Sequence, residues 1–197
     1  MKRTIIDILL LVAMLVEYSK VYLSPQIHEI VGICLIVLVA MHLILNRKYI
    51  KAISKGRYSK KRSLELIINL GFFIAFIMTC IFGILSSREI LPFLNIGNLS
   101  IIYLHKILAY TCIILLGMHL GITLKKIFKK IPGKYAVFPA IIICGIYSCI
   151  QVDFFTHLTG KSGFSMVNGN ILINSLEYLS IVLMIAVIAN LIYSRLS

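Results

Sequence analysis

Two pairs of histidines share one spacing in this sequence: His28 with His42, and His105 with His119. Each pair lies in a long apolar segment with its members 14 positions apart, which in an α-helix is about 3.9 turns, or about 21 Å. The two histidines of a pair therefore face the same side of a helix near its opposite ends. With two such helices side by side, His28 meets His105 at one level and His42 meets His119 at the other. Paired neutral imidazoles are axial ligands of six-coordinate haem iron, so the spacing predicts two stacked b-type haems.

Packing or hydrogen bonding is the alternative role for any one of these histidines. Ionisable side chains inside a bilayer are costly and usually functional, and four at matched depths are difficult to explain as packing. We therefore interpret the set as haem ligands. His157 has no counterpart at the same spacing and lies in a predicted loop, so we interpret it as a surface histidine rather than a fifth ligand.

The composition is that of a membrane protein. The chain has 197 residues, of which 60 % are hydrophobic, and a mean hydropathy of +0.99, which excludes a soluble globular domain. The first apolar segment contains Glu17 and Lys20 and lacks a small-residue cleavage site, so we expect a retained helix rather than a signal peptide. Runs long enough to cross a bilayer predict an all-α membrane protein with six transmembrane helices, at about 4–23, 27–46, 64–86, 100–124, 135–152 and 171–193.

The charge distribution predicts the orientation of these helices. The formal net charge is +13, and the basic residues concentrate in alternate loops: residues 47–62 hold eight Lys and Arg, and residues 125–134 hold five. Basic loops face the cytoplasm, so a six-helix bacterial plasma-membrane protein would have both termini on that side. Because topology accounts for the positive charge, we expect membrane lipid and no nucleic acid as a partner.

The cysteine pattern restricts the type of cofactor. The five cysteines lie within apolar runs, and none belongs to a Cys-x-x-Cys or Cys-x-x-Cys-His motif. Covalent c-type haem, a zinc site and a disulfide framework are therefore unsupported, and the thiols act as small apolar side chains.

The two histidine helices belong to an internal repeat. Superimposing His28 on His105 aligns His28-Glu-Ile-Val-Gly with His105-Lys-Ile-Leu-Ala, and Ala40-Met-His-Leu with Gly117-Met-His-Leu. The preceding helices also correspond, so a helical hairpin is used twice. We expect a four-helix haem-binding core at residues 1–130 and an appended helix pair at residues 131–197, with an external loop at residues 153–170.

Charged residues near the histidines are candidates for secondary roles. Haem propionates need cations, and Arg88 and Lys106 lie near the outer ligands. The inner basic residues are already required by topology. Glu17 would either accept a proton from a quinol or pair with Lys20 at the interface, and we favour the ion pair. The inner cations are Arg47, Lys48, Lys125 and Lys126.

Several motifs resemble those of the DUF4405 family of bacterial membrane cytochromes, also described as flavinylation-associated cytochromes. The resemblance covers about the first 130 residues and rests on Ile5-Ile-Asp-Ile-Leu-Leu, His28-Glu-Ile-Val-Gly, His42-Leu-Ile-Leu-Asn-Arg-Lys, Gly83-Ile-Leu-Ser-Ser-Arg, and His105-Lys-Ile followed by His119-Leu-Gly. It implies b-type haem and electron passage across the plasma membrane, from the quinone pool to an extracytosolic flavoprotein.

The sequence thus predicts a di-haem b-type transmembrane cytochrome, acting as an electron-transfer protein or as the membrane subunit of an oxidoreductase. It contains no Gly-rich dinucleotide fingerprint, so oxidation of a nicotinamide cofactor would need another chain. One alternative is the haem subunit of a ferric-reductase or methionine-sulfoxide-reductase type of system. A second is a metal or proton transporter whose path the histidines form.

Overall fold

The computed structural model of the protein describes residues 2–53, 55–161 and 170–196, and within these ranges the regular structure is helical throughout. Two short 3₁₀ turns, Lys20–Tyr22 and Pro92–Leu94, accompany the α-helices. In the described ranges the α-helices are α1 (Lys2–Tyr18), α2 (Pro25–Leu45), α3 (Arg47–Ile53), α4 (Lys60–Ile84), α5 (Leu99–Thr123), α6 (Lys125–Lys130), α7 (Lys134–Gln151), α8 (Phe154–Leu158) and α9 (Ile171–Arg195).

Five of the described helices, α2, α4, α5, α7 and α9, are long and apolar enough to cross a membrane. The α1 helix has an apolar sequence but is 17 residues long. Large apolar side chains such as Ile33, Val37 and Ile44 on α2 are exposed, as expected for a surface that faces lipid. The prediction of an all-α, multi-pass membrane protein is confirmed at this level.

Helices begin where the sequence supplies caps. The side chain of Ser24 accepts a hydrogen bond from the amide of Ile27 at the start of α2, and Pro25 occupies the first turn. Asn98 caps α5 in the same way. Gly133 precedes α7 with φ +62°, a left-handed conformation that favours glycine. The predicted breaks between helices therefore follow from local turn chemistry.

The connecting segments are more helical than the sequence predicted. The first basic loop contains α3, and the second contains α6. In the predicted external loop at residues 153–170, Phe154 is buried and α8 packs against α5. Phe155 is exposed, and residues 162–169 lie outside the described residues. The described part of the loop therefore covers the helices beneath it.

The two predicted hairpins are formed by α1 with α2 and by α4 with α5, and each pair packs closely. The helices of a pair run antiparallel, since Asp7 contacts His42 and Glu17 contacts His28. Between the pairs, α2 and α4 touch at only a few points. This sparse contact leaves space between the hairpins at the level of His28.

The α9 helix packs along α5 and α7 and also contacts α1. Its Ile181, Val182 and Val187 side chains are fully buried. A Cβ added at Gly117 of α5 would lie 2.6 Å from the Cβ of Ile185, so the glycine permits the close approach of α9. The separation into residues 1–130 and 131–197 stays a prediction, but α9 packs directly against the proposed core.

Candidate functional site

The structure brings His28 of α2 and His105 of α5 together. Their ring centroids are 6.2 Å apart, and the ring planes are nearly perpendicular at 86°. Two metal–nitrogen bonds of about 2 Å, with about 1.1 Å from each nitrogen to its ring centre, would separate the centroids by about 6 Å. The distance between the two rings therefore suits one metal atom held by both.

The Nδ1 atoms of both outer histidines face oxygen atoms. Nδ1 of His105 lies 2.9 Å from the carbonyl oxygen of Thr79. A carbonyl can only accept, so Nδ1 of His105 donates and its Nε2 keeps a lone pair. Nδ1 of His28 lies 2.6 Å from Oε2 of Glu17, although the contact is poorly aligned for a hydrogen bond. Histidines that bind a metal through one nitrogen characteristically direct the other at such an acceptor.

A cavity of about 150 Å³ lies between α1, α2, α4 and α5, and both outer histidines line it. The remaining wall is mainly apolar. A Cβ added at Gly32 would meet no atom within 4 Å, so this wall is open, whereas one at Gly83 would lie 3.0 Å from Cε1 of His105. Glu17 also lines the cavity, and its Oε1 is buried without a hydrogen-bond partner among the described residues.

The inner histidines have the same kind of support but a looser arrangement. Nδ1 of His42 lies 2.7 Å from Oδ1 of Asp7, and Nδ1 of His119 lies 2.8 Å from Oδ1 of Asn69. In the described part of the chain no ring contact joins His42 and His119, in contrast to the outer pair. The ring of Phe72 lies beside His119 instead, at a centroid distance of 5.9 Å. The structure therefore packs the outer pair closely and the inner pair less so.

The four acceptors form a second repeated pattern. Asp7 and Glu17 are ten residues apart on α1, and Asn69 and Thr79 are ten residues apart on α4. Each helix thus supplies one acceptor for an inner histidine and one for an outer histidine. Sequence reasoning missed Asp7, Asn69 and Thr79 in this role, although the repeated spacing of ten was a signal that could have identified them.

The favoured pairing of Glu17 with Lys20 is wrong, because the structure places the Glu17 carboxylate against His28. The physical reason lies in the chain path. The α1 helix ends at Tyr18, and Lys20 belongs to a 3₁₀ turn. Glu17 and Lys20 are therefore not neighbours on one helix face, as residues three apart in an α-helix would be.

The predicted outer cations lie near the same end of the molecule. Arg88 is exposed, and its backbone amide donates to Oε1 of Glu29 at 2.8 Å. Burial and, after it, the charge of Lys106 lower the pKa of Lys20 in the turn that follows α1, and Arg88 acts in the same direction. The carboxylates of Glu17 and Glu29 oppose this shift, so Lys20 lies within electrostatic range of both signs of charge.

The inner cation Lys125 already has partners. Its Nζ lies 3.0 Å from Oε1 of Glu65 and donates to the hydroxyl of Tyr193 at 3.1 Å. These hydrogen bonds to Tyr193 and Glu65 raise the pKa of Lys125. The contact ties α6 to α4 and α9, which gives Lys125 a structural role.

His157 lies in α8, apart from both histidine pairs. Its ring stacks on Tyr110 with a centroid distance of 4.9 Å and an interplanar angle of 21°. Burial is the main cause that lowers its pKa, followed by the charge of Lys106. His157 is therefore a partly buried residue of the external loop that packs on the helical core.

These features define a multi-pass, all-α membrane protein with a closely packed histidine pair. Over the described residues, no group of three or more His, Cys, Asp and Glu side chains converges to hold a bare metal ion; a haem iron, which the porphyrin also holds, would need only two protein ligands. No family model, curated protein or solved structure matches the chain. The site's own chemistry therefore carries the functional argument.

Proposed function

We propose that this chain is a di-haem b-type cytochrome that passes electrons across the plasma membrane. The observation that carries the proposal is the arrangement of Nδ1 atoms: each of the four paired histidines has Nδ1 within 2.9 Å of an oxygen atom, and this contact is a hydrogen bond for His42, His105 and His119. The Nε2 atoms then remain as candidate ligands, although Nε2 of His42 also lies 3.4 Å from Nδ2 of Asn46. The outer pair, His28 and His105, adds a centroid distance suited to a single metal atom.

The residues around the outer pair suit haem in three ways. The apolar cavity has an open wall at Gly32 that would accommodate part of a flat macrocycle. Lys20, Lys106 and Arg88 supply positive charge for propionates, which are carboxylates. Haem bound through two imidazoles supplies one-electron chemistry without an open coordination position. The protein residues hold the rings, fix their tautomers and limit the access of water.

The same proposal includes α1 as a sixth transmembrane helix. Its 17 residues extend for about 26 Å, close to the roughly 30 Å of a bilayer core. Because Asp7 contacts His42 and Glu17 contacts His28, α1 lies alongside α2 over the whole distance between the two histidine levels. The basic segments then place both termini on the cytoplasmic side. Cysteines introduced at Arg3 and Lys55 should both react with an impermeant thiol reagent from the cytoplasmic side, and one at Lys161 from the external side; labelling of Arg3→Cys from the external side would contradict a membrane-spanning α1.

The electron donor and acceptor in this proposal are taken from the resemblance to the flavinylation-associated cytochromes. On that basis the quinone pool donates electrons and an extracytosolic flavoprotein receives them. Quinol oxidation coupled to reduction of an external flavoprotein in reconstituted vesicles would test this part. Retention of both haems without reduction of any flavoprotein partner would contradict it.

Haem binding itself is tested on the purified protein. We expect a Soret band, reduced-minus-oxidised bands of low-spin b haem, and about two haems per chain by extraction. His105→Ala should lose the outer haem, whereas His157→Ala, the matched control outside the pairs, should retain both. A folded wild-type protein without haem would refute the proposal, and metal-dependent flux without a Soret band would support the transporter alternative.

A further inference from the structure

We infer that the α1 carboxylates, Glu17 and Asp7, are positioning residues that make each α2 histidine the more strongly electron-donating ligand of its haem. In this arrangement they lower the reduction potentials of both haems. The inference rests on the proposed function, because it concerns the same four histidines. It assigns to α1 a role beyond that of a transmembrane anchor.

The supporting observation is an asymmetry between the two hairpins. His28 and His42 on α2 contact the carboxylates of Glu17 and Asp7. The α5 histidines contact neutral oxygens, the backbone carbonyl of Thr79 and the side-chain amide of Asn69. Each proposed haem would therefore have one ligand supported by an anion and one supported by a neutral acceptor.

The direction of the effect follows from the charge of the acceptor. A carboxylate at Nδ1, whether hydrogen-bonded as Asp7 is to His42 or in close ionic contact as Glu17 is with His28, increases the electron density on the opposite ring nitrogen and raises its basicity as a ligand. A more basic ligand stabilises ferric over ferrous iron, so the potential falls. The effect is stronger where water is excluded. The Glu17 side chain is 14 % exposed and that of Asp7 is 51 % exposed, so the outer haem should be affected more.

Glu29 provides a matched control at the outer site. It is adjacent to His28 on α2 and lines the same cavity. Its carboxylate instead accepts from the hydroxyl of Ser87 and from the amides of the external turn, including that of Ile90. Glu29→Gln therefore removes a nearby negative charge without removing an acceptor from a histidine.

The converse change is available at the inner site. Asn69→Asp would give His119 an anionic acceptor in place of a neutral one. The Asn69 amide also donates to the hydroxyl of Tyr49 at 2.8 Å, and in the variant that hydroxyl can donate to the new carboxylate. This substitution should lower the inner potential, a direction that loss of packing would not predict.

The experiment is a spectroelectrochemical titration of the purified, haem-loaded protein and its variants, with electron paramagnetic resonance of the ferric form. We expect Glu17→Gln to shift the reduction equilibrium of the outer haem at least tenfold towards the ferrous form. For one electron, this raises the reduction potential by about 59 mV or more. Asp7→Asn should raise the inner potential by less, and Asn69→Asp should lower it. The g-values of the affected low-spin haem should change in each case.

Two results would overturn the inference while the proposed function remained intact: a Glu17→Gln shift no larger than that of Glu29→Gln, or an inner potential that Asn69→Asp does not lower. If Glu17→Gln fails to retain the outer haem, the Asn69→Asp measurement alone decides. Absence of haem from the wild-type protein would instead reject the proposed function. The failures of the two proposals are therefore distinguishable.

Discussion

Replacement of Gly83 by alanine should selectively weaken the proposed outer haem site at His28 and His105. Gly83 lies on α4, four residues after Thr79, whose carbonyl receives the Nδ1 hydrogen bond of His105. A Cβ at this position would lie 3.0 Å from Cε1 and 3.2 Å from Nδ1 of His105. Non-bonded carbon atoms prefer about 3.5–4.0 Å, so the ring must move by roughly 0.5–1 Å. That movement would distort the hydrogen bond from Nδ1 of His105 to the carbonyl oxygen of Thr79, which fixes the tautomer of His105.

The size of the effect follows from the cost of overpacking. Insertion of a methyl group into a packed site typically costs about 1–3 kcal/mol, which would weaken outer-haem binding by roughly 5- to 150-fold. The inner pair should be unaffected, because its acceptor on α4 is Asn69, far along the helix from Gly83. The haem content should therefore fall from about two per chain towards one.

The assay is haem transfer from the purified protein to excess apomyoglobin, together with haem extraction for stoichiometry. We expect one haem of the Gly83→Ala protein to transfer faster and the other to transfer at the wild-type rate. Gly71→Ala on the same helix is the control, because its added Cβ would meet nothing within 4 Å. Two haems with wild-type transfer rates in Gly83→Ala would refute the placement of His105 against α4.

Three other perturbations test the packing around the site. Gly117→Ala should lower the unfolding temperature by forcing α5 away from α9, at a cost of about 1–3 kcal/mol; an unchanged thermal transition in detergent would contradict the close approach. Glu65→Gln should cost at most about 1 kcal/mol, because Lys125 is partly exposed and solvent screens the pair. The folded-state pKa of Lys125 is raised, so its contribution to stability is present below the ordinary lysine pKa. That contribution should be lost as the pH rises through the folded-state pKa of Lys125. Chemical denaturation at neutral and at strongly alkaline pH would measure the loss. Cys34 is exposed and Cys112 is buried, so a maleimide should label only the former before unfolding in detergent.

The parts of the architecture that depend on a single helix could be predicted from the sequence. Ser24-Pro25 and Pro132-Gly133 fix helix ends through local backbone chemistry, and both breaks occur in the structure. The spacing of 14 between His28 and His42 fixes their relative direction on α2, because helical geometry is constant. The position of α9 was not predictable in this way. The burial of α9 depends on Gly117 and other small residues of different helices. Apolar side chains are distributed all around α9, so its sequence does not indicate which face packs.

The role of Glu17 is an example of a contact between helices that the sequence did not predict. Periodicity gives the angle between two residues of one helix, but not the rotation of that helix against its neighbour. Proximity in sequence therefore favoured Lys20 as the partner of Glu17, whereas His28, across the turn, was not identified. The 3₁₀ turn at Lys20–Tyr22 removes Lys20 from the helical face, and the closely packed α1–α2 hairpin brings His28 to the carboxylate. One feature did contain the answer, since Asp7 and Glu17 repeat the spacing of Asn69 and Thr79. A comparison of non-histidine positions between the two hairpins would therefore have been more informative than the charge of Glu17 alone.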